Sequence, residues 1–478
     1  MKATLTAYPT YKESGSLWLG DVPEHWKTHA LWTISKLRNE RTLGALQLLS
    51  VFLNRGVIRY EEGGGQVHAP SLDLTNYQVV HAGDLVLNNQ QAWRGSVGVS
   101  CHHGIISPAY IVLELPCGID SEFANYLVRC PAIVDQFVIA SKGVGDIQRQ
   151  IFWPFLRYVQ IPLPPLDEQA VIVKFLNYMD RRIRRYIGAK QKLIKLLEEQ
   201  KQAIIHRAIT RGLDSDVRLK PSGVEWLGDV PEHWKVERLK YLAKMNPSRT
   251  ELDELASNTV VTVLPMENVS EWGQIDSSRT SELGSVNPGF TYMRDGDVIV
   301  AKITPCFENG KGAVCAGLAN RVAFGSTEFH VLRPFARILP WYLYYLTREQ
   351  AFRAHGAFNM RGSAGQQRVP TEFLASWYIP IPPVAEQRDI VASINQELHE
   401  INDTAERLHR QIVLLSQYRT RLIADVVTGK LDIREAAARL PDEQIESELL
   451  DEENTPMVDD EFEGSDDDLN TELEEVEA

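Results

Sequence analysis

The chain has 478 residues, 44% hydrophobic and 24% charged, with a formal net charge of −14. These proportions describe a soluble globular protein of several domains, and the lack of any run of 18 apolar residues excludes a membrane-spanning helix. The charge is segregated: residues 441–478 hold 18 Asp or Glu and no Lys or Arg, so the rest carries +4, a mildly basic body that permits nucleic-acid binding. Five cysteines without CxxC spacing read as reduced thiols, and the polar N-terminus has no secretory h-region. Both point to a cytoplasmic protein.

After a polar lead-in over residues 1–16, residues 18–27 read WLGDVPEHWK, and residues 226–235 repeat all ten at an offset of 208. Ser14-Gly15 and Ser222-Gly223 extend the match, which makes the chain a tandem repeat of two long halves. Two readings of the decapeptide stand side by side. It is a turn-rich staple tying each domain's entry to its own core, or it presents Trp18, Trp26, Trp226 and Trp234 to a partner at two equivalent sites.

Residues 45–52, 84–87, 111–115 and 157–161 carry strand signals and residues 121–130 a helical pattern, which predicts an α+β domain. The proline-rich IPLPPLDEQ of residues 161–169 then ends the domain, with Asp167 placed to cap a long helix to about residue 210. One heptad position holds Leu176, Ile183, Leu197 and Ile204, interrupted by Lys190, and its companion holds Ile172, Met179, Tyr186 and Leu193. That spacing predicts a coiled-coil seam stopped by Gly212.

The second half repeats the plan. GDVIV at residues 296–300 echoes GDLVL at 83–87, and IPIPPVAEQ at 379–387 matches the first proline segment at an offset of 218. The seam returns as Ile394, Ile401, Leu408, Leu415 and Leu422, and the helix ends near Gly429. Because domain termini often lie close together, the second helix should run back antiparallel along the first. The expected fold is α+β, two α/β domains separated by two long antiparallel coiled-coil helices, with a pseudo-twofold repeat. The boundaries are 1–165, 166–212, 213–383, 384–435 and an acidic, disordered tail over 436–478. Helices of about 44 residues, roughly 66 Å, match one to two turns of B-DNA, about 34–70 Å.

WLGDVPEHW, an α+β segment and IPxPPxxEQ leading into a long helix, all done twice, closely resemble the specificity subunit of type I restriction–modification systems. The resemblance implies two target-recognition domains, each reading one half of a split, asymmetric site on double-stranded DNA, with the helices fixing the gap. It also implies docking of two adenine-N6 methyltransferase subunits and of restriction/translocase subunits. The chain itself is expected to be non-catalytic and without a cofactor; S-adenosylmethionine, ATP and Mg belong to the partners. Gly429-Lys430 lacks the upstream glycine of a phosphate loop, no HExxH is present, and Asn287-Pro288-Gly289-Phe290 reads as a turn. Cys101-His102-His103 has no partner pair to complete a metal site.

Base edges are read by amides, guanidinium groups and hydroxyls, and phosphates are held by Lys and Arg. The first-half candidates are Asn88, Asn89, Gln90, Gln91 and Arg94 beside a Trp, then Lys142, Gln148 and Arg149. The second-half candidates are Lys302, Thr304, Asn309, Lys311, Arg361, Ser363, Gln366, Gln367 and Arg368. Gln148-Arg149 and Gln367-Arg368 align at an offset of 219, which sets them above the rest. The competing readings are a specificity subunit serving a fused nuclease–methyltransferase, and a coiled-coil adaptor whose heads bind protein without DNA affinity.

Overall fold

A computed structural model describes residues 5–41, 46–53, 55–63, 74–144, 148–252, 255–363 and 366–441. The acidic segment from 442 onward lies outside these residues. The chain divides into two compact units, one taking residues up to Lys190 together with those from His409 on, the other Gln191–Leu408.

In the first unit a four-stranded antiparallel sheet runs in the order Lys36–Leu37, Tyr110–Glu114, Leu85–Asn88, Val97–Val99. The second unit builds the same order from Ala243–Met245, Phe329–Pro334, Val298–Ala301 and Gly312–Val314. The GD pairs explain their recurrence. Gly83 and Gly296 turn at positive φ (95° and 87°), and the buried Asp84 and Asp297 each hold an arginine, Arg38 and Arg333. The acid is duplicated, but its arginine comes from the end of the Lys36–Leu37 strand in one unit and from within Phe329–Pro334 in the other. The second layers are built on related lines. Residues 260–325 give a four-stranded sheet in which Val260–Leu264 pairs parallel with Val322–Gly325, while in the first unit the pairs Leu49–Phe52/Gly56–Arg59 and Gln78–Val80/Gly104–Ile106 are joined by a single parallel bridge between Leu48 and Ile105.

The segment expected as a strand over 157–161 is one only from Gln160, because Trp153–Leu156 forms a short helix just before it. The prolines do enter strands: Pro162 pairs with Thr28 and Pro380 with Val236. Each sits in a two-stranded sheet, where a residue without an N–H needs to satisfy one neighbour at most.

The long helices are Leu166–Arg211, 46 residues, and Val384–Val427, 44 residues. Asp167 falls inside the first turn, not at the cap. Gly212 and Gly429 end them at positive φ, 73° and 78°. Within each unit the two helix segments run antiparallel. In the first, Lys190 Nζ donates to Gln411 at 2.6 Å and Asp180 pairs with Arg419. In the second, Arg207 faces Glu397 and Gly212 lies against Glu386.

Ile394, Ile401, Leu408 and Leu422 are buried as the heptad requires, and Leu415 is half-buried. The companion position of the first helix departs from it. Ile172 is buried, but Tyr186 and Leu193 are exposed, and farther along Lys201, Ile205, Ala208, Ile209 and Thr210 are buried. From Ile172 to Ala208 the buried phase returns in step with about 3.6 residues per turn. A seven-residue count drifts from that by about 20° per heptad, which on this helix carries the predicted companion stripe off the buried face.

Candidate nucleic-acid interface

The first unit brings its two groups of candidate readers together. The loop after Leu85–Asn88 and the hairpin Ser141–Val144 / Gln148–Ile151 are joined where the Ile151 N–H donates to the Asn89 carbonyl at 2.7 Å. Asn88 Oδ1 accepts the Gln90 N–H at 3.0 Å and shapes the turn, which fixes the orientation of its side-chain amide. Trp93, which residue-type reasoning passed over, is the platform. Its ring lies 4.7 Å from the Arg94 guanidinium carbon and 5.6 Å from that of Arg149, and its indole N–H donates to the Gln90 carbonyl at 2.7 Å. An aromatic face that holds two planar forks restricts their rotamers before any ligand arrives. Lys142, opposite Gln150 in the hairpin, stacks its ammonium 4.0 Å from the Phe155 ring centre. Gln90 and Arg94 are exposed and Gln91 is half-buried, while Gln148 is placed by its backbone pairing with Val144.

The second unit repeats the junction with different side chains. The Val369 N–H donates to the Lys302 carbonyl at 2.8 Å, and the Thr304 N–H to the Gln367 carbonyl at 3.0 Å. Arg361 and Arg368 exchange both backbone hydrogen bonds across the base of the hairpin that carries Ser363 and Gln366. Ile151 and Val369 therefore do the same work at an offset of 218, with Asn89 and Lys302 as their acceptors. Thr304 is partly withdrawn, since its hydroxyl lies 3.1 Å from Met360 Sδ. Lys311 is tied to the Met266 carbonyl at 3.2 Å. Asn309 is exposed and lines a cleft of about 1100 Å3 that also contacts His206, Trp226, Trp272 and Arg353. Arg361, Ser363 and Gln366 are exposed and Gln367 is half-buried.

Arg368 departs from its expected role. Its guanidinium grips Glu328 with Nε at 2.9 Å and Nη2 at 2.9 Å. The charge is matched within the chain, forty residues from where sequence inspection looks. The Arg368 hydrogen bond holds the Glu328 carboxyl below its usual range. A carboxylate with a lowered folded pKa contributes stability above its unfolded pKa and loses it as pH falls through the folded value, so the pair is intact at neutral pH. Glu328→Gln should therefore release Arg368 at pH 7. If the group then reaches DNA, affinity rises at low salt and the log–log salt slope steepens by about one. Titration of the variant across a salt series checks this, and an unchanged slope would show that Arg368 points away from the ligand.

The tryptophans split into two classes, which corrects the reading of all four as partner contacts. Trp26 and Trp234 are 0% exposed, whereas Trp18 is 47% exposed and Trp226 stacks on Trp377 at 5.0 Å between ring centroids. The buried pair serves an internal joint. The Trp26 indole N–H donates to Glu168 Oε1 at 3.2 Å and His25 Nε2 meets Oε2 at 2.8 Å. Trp234 and His233 do the same to Glu386, at 2.9 Å and 2.8 Å. The glutamines next in sequence are also equivalent. Gln169 accepts from the Asp120 N–H and donates to the Pro164 carbonyl, and Gln387 accepts from the Leu339 N–H and donates to the Pro382 carbonyl. The decapeptide and the glutamate thus recur as each other's partners, while the glutamine ties the helix start to the N-terminus of a domain helix, at Asp120 and at Leu339.

Among the described residues no group of three or more His, Cys, Asp or Glu is placed to hold a metal ion. No described helix is long and apolar enough to cross a membrane.

No protein-family model matches the sequence. The chain is 35% identical over 281 residues to the type I restriction enzyme EcoAI specificity subunit of Escherichia coli, covering 57% of this chain and 43% of that protein. Against the EcoEI specificity subunit, also from Escherichia coli, the identity is 30% over 281 residues, again covering 57% and 43%. The chain thus spans less than half the length of these two curated relatives. The putative type I restriction enzyme MjaX specificity subunit of Methanocaldococcus jannaschii is 23% identical over 441 residues, 87% of this chain and 96% of that protein. A solved structure from work on complex assembly and conformational transition of the type I R-M system superposes with a TM-score of 0.61 at 17% identity, covering 86% of this chain and 99% of that one. In sequence, over part of its length, this chain is similar to the specificity subunits of type I restriction enzymes, and in fold, over most of its length, to a chain solved in work on the type I R-M system.

Proposed function

We propose that this chain is the sequence-recognition subunit of a type I restriction–modification complex. Each unit's loop-and-hairpin surface reads one half of a split site on double-stranded DNA. The long helices set the gap between the half-sites and dock two adenine-N6 methyltransferase subunits, through which the restriction/translocase subunits join. The chain is a non-catalytic partner in this reading, and the bound S-adenosylmethionine, ATP and Mg are used by the other subunits.

One observation carries the proposal beyond similarity. The same backbone junction, Ile151 to Asn89 and Val369 to Lys302, recurs in both units under different side chains. A conserved frame with divergent donors and acceptors is what two different half-sites call for, since base identity is read by side chains and not by the scaffold. An adaptor with protein-binding heads gives no reason for paired guanidinium groups stacked on Trp93.

The test is co-expression with methyltransferase subunits and mapping of methylated adenines. The expected outcome is an asymmetric motif of two short half-sites separated by unspecified bases, and a single uninterrupted motif overturns the reading. Arg149→Ala then separates two roles. A base contact costs about 1–3 kcal/mol for the correct half-site and relaxes discrimination at one position, while a phosphate contact weakens all sequences alike. Gel-shift titration against half-site variants distinguishes them.

A further inference from the structure

We infer that Glu168 and Glu386 are positioning residues that set how strictly the complex measures the gap between its half-sites. This rests on the function proposed above. In each unit a single tryptophan touches both helices. Trp26 hydrogen-bonds Glu168 in the first turn of one helix, and its ring presses on Gly429, the residue that ends the other. A Cβ at Gly429 would lie 2.3 Å from Pro23 and 3.2 Å from the Trp26 ring. In the second unit Trp234 hydrogen-bonds Glu386, and a Cβ at Gly212 would lie 3.2 Å from the Trp234 ring and 3.3 Å from Glu386 Oε1. The recognition domain, the start of one helix and the end of the other meet at one carboxylate.

The carboxylate suits this joint. It lies in the first helical turn, where the helix dipole favours negative charge, and charged acceptors make the stronger hydrogen bonds. Glu168 receives a third donor, the Tyr8 hydroxyl, at 2.7 Å. Burial and the neighbouring Glu168 push the Tyr8 phenol well above its usual range, so it remains a donor at any physiological pH. The Glu168 side chain is 7% exposed and the Glu386 side chain 29%, which makes the first joint the tighter.

Angular slack at such a joint is amplified along the DNA. A domain of this size has a radius of gyration of about 15 Å, so its reading surface stands roughly 20 Å from the joint. A rotation of about 10° moves that surface by about 3.5 Å, one base-pair step. Loss of the carboxylate should therefore relax spacing while leaving the bases read unchanged. The duplication is consistent with this: the joint is kept in both halves although the domains it carries have diverged.

The experiment uses the full chain assembled with its methyltransferase subunits, with methylation of a site library whose gap is one base pair shorter, correct or one longer. Glu168→Ala should raise methylation at the off-length gaps at least tenfold relative to the correct gap, with half-site bases unchanged. Glu386→Ala should do so less. Tyr8→Phe, which removes one donor and keeps the ring, gives a smaller change in the same direction and carries the test if Glu168→Ala does not assemble. Val112→Ala, a buried sheet residue remote from the joint, controls for lost stability. Unchanged gap selectivity in the Glu168 and Tyr8 variants, or equal relaxation in Val112→Ala, overturns the inference. A wild-type complex that methylates an uninterrupted motif instead sinks the parent reading, and this one with it.

Discussion

Trp26→Ala should lower the unfolding stability of the first unit by about 3–5 kcal/mol, and Trp234→Ala should do the same in the second. Both rings are fully buried, and each belongs to the core cluster of its own unit. Truncation leaves a cavity between helix start, helix end and domain, and it removes a donor from a carboxylate that is buried at Glu168 and partly exposed at Glu386. Thermal unfolding should register a fall of roughly 6–20 °C, using about 2–4 °C per kcal/mol for units of this size. Trp18→Ala is the control from the same decapeptide. Its ring is half in solvent, and the expected loss is about 0.5 kcal/mol or less. Equal losses at Trp18 and Trp26 would show that the decapeptide acts through its outward face and that the joint has been misassigned.

The contrast between those tryptophans marks where sequence reading stops. The repeat was legible because ten identical residues need no physics to recognise, and the long helices were legible from uninterrupted apolar periodicity. The partner of each motif was not. Trp26 and Glu168 are 142 residues apart, and a tryptophan's identity does not say whether its ring faces a core or a ligand. The same limit hid the Arg368–Glu328 pair, because Glu328 lies beyond the window in which a charge pair can be seen. The two candidate groups of the first half read as separate, yet the Ile151–Asn89 backbone hydrogen bond closes them onto one another, and two such bonds join the residues around Lys302 and Gln367 in the second half. Helix phase failed for a different reason: successive heptads are counted in sevens, but the first helix buries residues at 3.6 per turn, so Tyr186 and Leu193 rotate outward. Gly212, held by local chemistry at the helix end, was legible in place. Asp84 was expected inside the strand, but it lies in the turn before Leu85–Asn88, and its long-range ion pair with Arg38 was not legible.

Asp297→Ala is the other substitution with a large expected effect, about 3–5 kcal/mol from the second unit. The Asp297 side chain is 1% exposed and that of Arg333 8%. Asp297 Oδ1 accepts from Arg333 Nε at 2.7 Å and Oδ2 from Nη2 at 2.8 Å, and Oδ2 also accepts the Arg294 N–H at 2.9 Å. Removing the acid leaves a buried guanidinium held at Nη1 by Glu251 but without an acceptor for Nε and Nη2. The desolvated, half-satisfied cation, more than the lost attraction, supplies most of the cost. Two comparisons test the account. Asp297→Leu combined with Arg333→Leu removes both charges and should recover most of the stability, whereas the two single losses taken independently would sum to a greater deficit. Asp84→Ala in the first unit should cost less, because the Arg38 side chain is 17% exposed and faces Glu40 and Glu114 as alternative partners. Calorimetric unfolding of the three variants decides the matter. A double variant no better than Asp297→Ala alone, or an Asp84→Ala loss as large as that of Asp297→Ala, would mean that the aspartates act through the turn hydrogen bonds at residues 81–84 and 294–297, with the arginines incidental.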